Sequence, residues 1–281
     1  MSKTKKILTS VSIIWLCLLL TVFTYSWVLR NKTPSIYHDN LKISPAGALV
    51  ISLLGDDNNT SVDLNQITSL ESFVFKQVSS LDGKHFMRLD FTPTIDGNEA
   101  VYRFIGDGDT YKKNYIDVRF ALKLDDSLET GKYVFLHPDC SITDDNEHLD
   151  IAKAIRIAID VDVPVSDTEK ENRTFIFGNT KNNMSLDQYT NAVKSDADGK
   201  VLSDTTAVGQ QKVYNFSAYN GYDDNGELDP SKCLFKIEPE HIQWVNLRIW
   251  LEGADENCVN EIAGQTFDLM LMFDSAEIVS E

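Results

Sequence analysis

The chain has 281 residues, 42% of them hydrophobic, with 26 basic against 43 acidic residues and a net charge of −17. Such a field repels nucleic acid and other polyanions, which excludes a nucleic-acid partner, and it favours solubility outside the cell. The length accommodates one large β-domain or two smaller ones.

Lys3, Lys5 and Lys6 precede an uncharged run from Ile7 to Leu29, which Arg30 and Lys32 close. The run is long enough to span a bilayer, and the lysines hold its N-terminal end in the cytoplasm. Two outcomes are open: residues 1–30 form a single transmembrane anchor, or Thr24, Tyr25 and Ser26 make a signal-peptidase site and the mature chain begins at Trp27. In both, the rest of the chain is extracellular or at the cell surface, and residues 7–29 contact the membrane at least transiently. Beyond the first thirty residues 22 basic and 43 acidic residues remain, a charge of −21.

Residues 31–45, with Asn31, Pro34, Asn40 and Pro45, read as a polar tether. A β-sandwich ectodomain is expected over 46–281. Its first strand lies within the glycine-bounded apolar run Gly47 to Gly55, which could pair in its own sheet or be donated to a neighbouring copy. From there the period is two. Ile116, Val118, Phe120, Leu122 and Leu124 share one face and Asp117, Arg119 and Lys123 the other, as in a half-buried antiparallel strand. Runs at 71–78, 85–91, 100–105, 132–136, 174–177, 212–217 and 233–237 repeat the theme. Residues 149–161 fit helix and strand periods about equally, and a strand from Ala154 after a short helical turn is favoured. A loop-rich insertion spans about 163–210, with a short helix over 185–195. Near the C-terminus, Val245, Leu247, Ile249 and Leu251 alternate with Trp244, Asn246, Arg248 and Trp250, and Phe267, Leu269, Leu271 and Phe273 form a second such run. These two read as neighbouring strands. Many strands at irregular spacing predict an all-β fold: an antiparallel β-sandwich of jelly-roll type behind an N-terminal hydrophobic helix.

Three patches carry a resemblance: Tyr25-Ser26-Trp27 at the end of the leader, Ala154-Ile-Arg-Ile-Ala158, and Leu247-Arg-Ile-Trp-Leu-Glu-Gly-Ala-Asp-Glu-Asn-Cys258 with Gly264 beyond it. They resemble the TasA/camelysin group of exported Gram-positive, clostridial proteins with a SipW-dependent type of signal peptide. Ser26 and Val28 stand where that signal has Ala and Phe. The resemblance implies an exported jelly-roll-like β-sandwich, with assembly by passing an N-terminal strand to the next subunit as a weaker implication.

Catalytic patterns do not appear. His38, His85, His137, His148 and His241 have no zinc-binding spacing, and there is no nucleophile elbow, phosphate loop or dinucleotide glycine motif. Calcium stays open through oxygen donors on turns at Asp223, Asp224 and Asp229, at 107–109 and at 56–58, with solvated acidic turns as the alternative. No other cofactor is expected. Cys140, Cys233 and Cys258 allow one disulfide, with Cys233–Cys258 favoured by closeness in sequence, and all three can equally remain reduced. Trp244, Arg248 and Trp250 form the candidate binding face, for stacking either on each other or on a sugar. The function expected is a non-enzymatic cell-surface or biofilm-matrix structural protein that self-associates by strand exchange. The alternative is a membrane-anchored binding module for carbohydrate or a surface protein.

Overall fold

A computed structural model of the chain describes residues 15, 35–53, 61–66, 73–94, 97–105, 114–144, 151–164, 169–179, 213–253, 255, 257–258 and 262–277, with side chains described except at 89–105 and 217. The chain divides into two units, Met1–Thr33 and Pro34–Glu281. In the first only Trp15 is described, as an exposed helical residue. The expected leader run and the Ser26/Trp27 junction otherwise lie outside the described residues, as do the acidic turns at 56–58 and 107–109 and the helix expected over 185–195. Among the described residues no helix is long and apolar enough to cross a membrane.

The second unit is all-β. Its strands are β1 (Ser35–Pro45), β2 (Leu49–Ser52), β3 (Val62–Asp63), β4 (Phe75–Val78), β5 (Phe86–Thr94), β6 (Gly97–Ile105), β7 (Ile116–Leu124), β8 (Lys132–Leu136), β9 (Ser141–Thr143), β10 (Ile155–Pro164), β11 (Lys170–Gly178), β12 (Val213–Tyr214), β13 (Phe235–Ile237), β14 (Gln243–Glu252) and β15 (Thr266–Glu277). Among the described residues thirteen strands form one continuous sheet, whose main path runs β12-β11-β10-β14-β4-β1-β15-β8-β13, and β5 and β6 form a separate hairpin. The expected helical turn before a strand is present as Ile151–Ala154 leading into β10.

Three expectations are corrected. Residues 35–45 of the expected tether form β1, an eleven-residue strand with Ile36, Leu41 and Ile43 fully buried. A register break between His38 and Leu41 interrupts its alternation, and that extra residue hides the period of two from the sequence. Second, the sheet is mixed rather than antiparallel: β1 runs parallel to β15, β4 to β14 and β11 to β12. Third, the two C-terminal runs do not pair. β14 lies between β10 and β7, whereas β15 lies between β1 and β8, with β9 pairing along part of it. After β14 the Asp255 carboxylate is buried.

The strand inside the Gly47–Gly55 run is β2, and it pairs antiparallel with β7. β4 joins the two halves of the sheet through two residues to β14 and two to β1. The sheet curls on itself, so that the Phe120 ring of β7 meets Phe273 of β15 with centroids 5.7 Å apart, and Phe75 of β4 meets Phe267 at 5.2 Å. Burial of these aromatic and β-branched side chains is the main driving force for closing the sheet. A second, smaller core of Val78, Phe86, Tyr115, Ala158, Ile176, Val213 and Trp250 lies outside this one. It is covered by the segment Ser79–His85, called the strap below, which leads from β4 into β5 and is held by a bridge between Ser79 and Met87.

Candidate functional site

The strands β7, β14, β10 and β11 lie side by side, and their registers set polar residues in rows. Asn246 stands opposite Arg119 and Asp160, Arg248 opposite Asp117 and Ala158, and Asp162 opposite Asn172. Because side chains alternate along each strand, these residues share one face.

On that face the three residues expected to form a binding surface have different fates. Trp244 is partly buried, and the Arg119 guanidinium lies over its ring, 4.4 Å from the centroid. Arg248 is held by Asp117 at 3.6 Å and Asp160 at 3.4 Å, and donates to the Gly83 carbonyl at 3.3 Å. Trp250 is fully buried, which removes it from any exposed platform. Phe86 meets it edge-on at 5.3 Å and itself stacks on Tyr115 at 3.9 Å. Strand alternation correctly put Trp244, Arg248 and Trp250 on one face. It carried no information about a distant strap lying over one end of that face.

Near the strap, charged groups are buried with polar partners. Arg156 is fully buried and its Nη2 donates to Asp255 at 2.5 Å, while its Nη1 donates to the Ile155 carbonyl at 3.1 Å. Glu252, also fully buried, accepts from Trp250 Nε1 at 3.0 Å and from the Ser80 backbone N–H at 3.3 Å. Charges in such a place must be paired and hydrogen-bonded to be tolerated. The Arg156–Asp255 pair links Ala154–Ala158 to Leu247–Cys258, the two downstream patches noted in the sequence. Their polar residues hold the outer core together.

The strap is ordered by one carboxylate. Asp82 Oδ1 accepts from the backbone N–H groups of Lys84 and His85 and from Ser80 Oγ, and Oδ2 lies 2.5 Å from His85 Nδ1. Burial pushes the Asp82 carboxyl up, but the His85 ring and the backbone donors outweigh it and hold the group below its ordinary value. Next to it, Lys84 reaches across to β10 and β11, placing Nζ 3.2 Å from Asp160 and against the Asn172 carboxamide oxygen. Asp160 is thus a hub, facing Lys84, Arg248 and the Thr174 hydroxyl, which donates to it at 3.0 Å. Sequence reasoning missed Asp82, Lys84, Asp160 and Arg156. For the strap the available signal was the Ser80-x-Asp82-x-x-His85 spacing, which suits a side-chain-capped turn, and Arg156 lay inside the Ala154–Ala158 patch.

The expected calcium donors act on their own turns. Asp223 Oδ1 accepts from the backbone of Asn225 and Glu227, and these hydrogen bonds, with Glu227 first, lower its carboxyl. Asp229 accepts from the Ser231 backbone and hydroxyl, and Asp224 is exposed on the same turn. Among the described residues no group of three or more His, Cys, Asp or Glu could hold a metal ion. Cys233 and Cys258 do not bridge: they and Cys140 are free thiols. Cys233 Sγ lies 3.6 Å from the Asp229 carbonyl, whereas Cys258 Sγ lies 3.9 Å from Gln77 Oε1 on β4. Burial pushes the Cys140 and Cys233 thiols up to about 11 and Cys258 up to about 12.

On the other half of the sheet an open groove of about 540 Å3 runs over β3, β1, β15 and β9. It is lined by Asn40, Lys42, Asp63, Ser141, Asp268 and Met270 among others, and Asn40 donates to Asp268 through both its backbone and its carboxamide nitrogen. No protein-family model, curated protein or solved structure matches the chain.

Proposed function

We propose that the protein is a non-enzymatic structural component of a cell surface or biofilm matrix, exported by its N-terminal leader. Its ectodomain is a sandwich of jelly-roll type whose copies join by exchanging β1. The reading keeps the kinship with the TasA/camelysin group drawn from the three sequence patches. The observation that carries it is the position of β1. This first strand lies in the interior of the sheet, parallel to the last one, with register pairs from Tyr37↔Thr266 to Pro45↔Phe273. Only Ala46, Gly47 and Ala48 separate it from β2. Short hinge loops favour exchange of the strand they carry, because that strand makes the same hydrogen bonds in a neighbouring copy once the chain has opened.

Lys42 and Met270 are register partners and both are exposed. Full-length chains carrying Lys42→Cys are mixed with chains carrying Met270→Cys, unfolded and refolded together, and treated with a short bismaleimide. Exchange gives a covalent dimer whose linked peptide joins the two introduced cysteines. A double variant that cross-links only within single chains, with no such dimer from the mixture, rules exchange out.

The groove favours a second reading, an anchored extracellular module for carbohydrate. Its carboxylate, amide, hydroxyl and ammonium groups suit a hydroxyl-rich ligand, and its size is that of an ordinary ligand site. Retention of a neutral glycan on an array by the full chain, lost with Asp268→Ala, supports that reading; an array blank for both chains removes it.

A further inference from the structure

We propose that Lys84 and Asn172 are the site of an intramolecular amide cross-link, formed by attack of the lysine amine on the asparagine carboxamide. Lys84 comes from the strap and Asn172 from β11, 88 positions apart in sequence, and Lys84 Nζ sits against Asn172 Oδ1, one bond from the carbon it attacks. Two carboxylates flank the pair from β10. Asp160 Oδ1 is 3.2 Å from Nζ, and Asp162 Oδ1 accepts from Asn172 Nδ2 at 2.7 Å. The placement follows from register, because Asn172 is the direct cross-strand partner of Asp162 and Asp160 lies two residues along the same face.

An amine, a carboxamide and two acids from three different segments are the groups that amide exchange requires. Asp160 takes one proton from the ammonium and frees the amine. The Nζ–Cγ bond forms and the Cγ–Nδ2 bond breaks. A second Nζ proton passes through Asp162 to the departing nitrogen, which leaves as ammonia and carries off the proton held by Asp160 as ammonium. No oxidant, metal or cofactor enters the balance. The fold supplies the rate by holding the reactants in contact, an intramolecular advantage worth many orders of magnitude in effective concentration. Arg248 also faces Asp160, at 3.4 Å from Oδ2, and keeps that carboxylate turned toward the pair.

The bond would have a clear structural effect. All three described cysteines are free, so among the described residues no disulfide ties the strap to the sheet. An amide from Lys84 to Asn172 fastens the strap, and the outer core beneath it, to β11. Closing so long a loop covalently restricts the unfolded chain in the way a disulfide does.

Mass spectrometry of a tryptic digest of the full chain tests this. The cross-link protects the bond after Lys84 from trypsin. The expected product is therefore the peptide Gln77–Arg88 joined to Glu171–Arg173, lighter than the sum of the two by one ammonia. It is absent from Lys84→Arg and Asn172→Ala chains. Loss of ammonia from the intact chain does not decide the matter, because succinimide formation at Asn220-Gly221 or Asn225-Gly226 gives the same change. Cleavage after Lys84 in the folded wild-type protein, with Glu171–Arg173 recovered free, overturns the proposal. Complete cross-linking in an Asp160→Asn chain overturns the proton route assigned to Asp160.

Discussion

Asp255 is a short turn residue whose carboxylate neutralises a fully buried guanidinium, and that single contact decides how the outer core tolerates Arg156. Removing one partner of a buried pair leaves the other charge uncompensated, so Asp255→Ala is expected to cost about 3–5 kcal/mol, read as a shift of the urea midpoint. Replacing Arg156 and Asp255 together by apolar residues of similar size costs far less, since no charge is then stranded. The pH dependence lies at Asp82. Its folded carboxyl titrates below the ordinary value of 3.8, so its contribution is fully present above that value and disappears as pH falls through the folded one. Asp82→Asn is therefore less stable than wild type at neutral pH, and the two midpoints converge as unfolding is followed below pH 3.8. At this scale the sequence was only partly legible. Arg248 was expected to stack among the tryptophans, but it is held by Asp117 and Asp160, from strands that no local pattern assigns to it, and Arg119 lies over Trp244 instead. Trp250 read as exposed because period-two alternation distinguishes two faces and does not say which face a later segment covers.

The strands were legible wherever alternation ran unbroken. β7, β8, β14 and β15 appear nearly where their periods put them, because each buries a continuous row of apolar side chains. β1 failed for a definable reason: its bulge shifts the buried face between Ile36 and Leu41, and Asp39, Asn40 and Lys42 between its apolar residues are exposed. The strap failed because it has no period at all. It is shaped by the capping bonds of Asp82 and by Gly83, whose φ of +69° and contact distances leave no room for a side chain. A Cβ at Gly83 would stand 2.6 Å from the Cβ of Ala158, a rigid neighbour in the sheet. Gly83→Ala is expected to lower stability by about 2–4 kcal/mol, combining left-handed backbone strain with overpacking. The measurement is the midpoint of chemical unfolding, set beside Gly226→Ala. Gly226 has a similar φ of +81° but nothing within 4 Å, so that variant isolates the backbone cost. On β11, the exposed Lys170, Glu171 and Arg173 lie beyond the two residues paired with β12 and supply the charges that discourage further strand addition.

At the scale of the whole molecule, all-β architecture was readable from the number and spacing of alternating runs, whereas topology was not. Proximity in sequence suggested that β14 and β15 pair, yet each finds its partners far away, β14 with β10 and β7 and β15 with β1. Pairing is decided by which apolar faces can be closed against each other, and in a curled sheet those faces come from opposite ends of the chain. The β1–β15 ladder is therefore expected to protect its amides from hydrogen exchange as one unit, opening together with the global transition. Exchange measured by mass spectrometry should show residues 35–45 and 266–277 losing protection at the same denaturant concentration. Separate opening of the two segments would falsify their cooperative coupling.

The parallel register of the first and last strands also fixes when the fold can be completed. Asn40 and Asp268, which face each other across β1 and β15, are 228 positions apart, so the sheet cannot close until the whole stretch between the two strands has been made. Pairings over so long a separation are also slow to form.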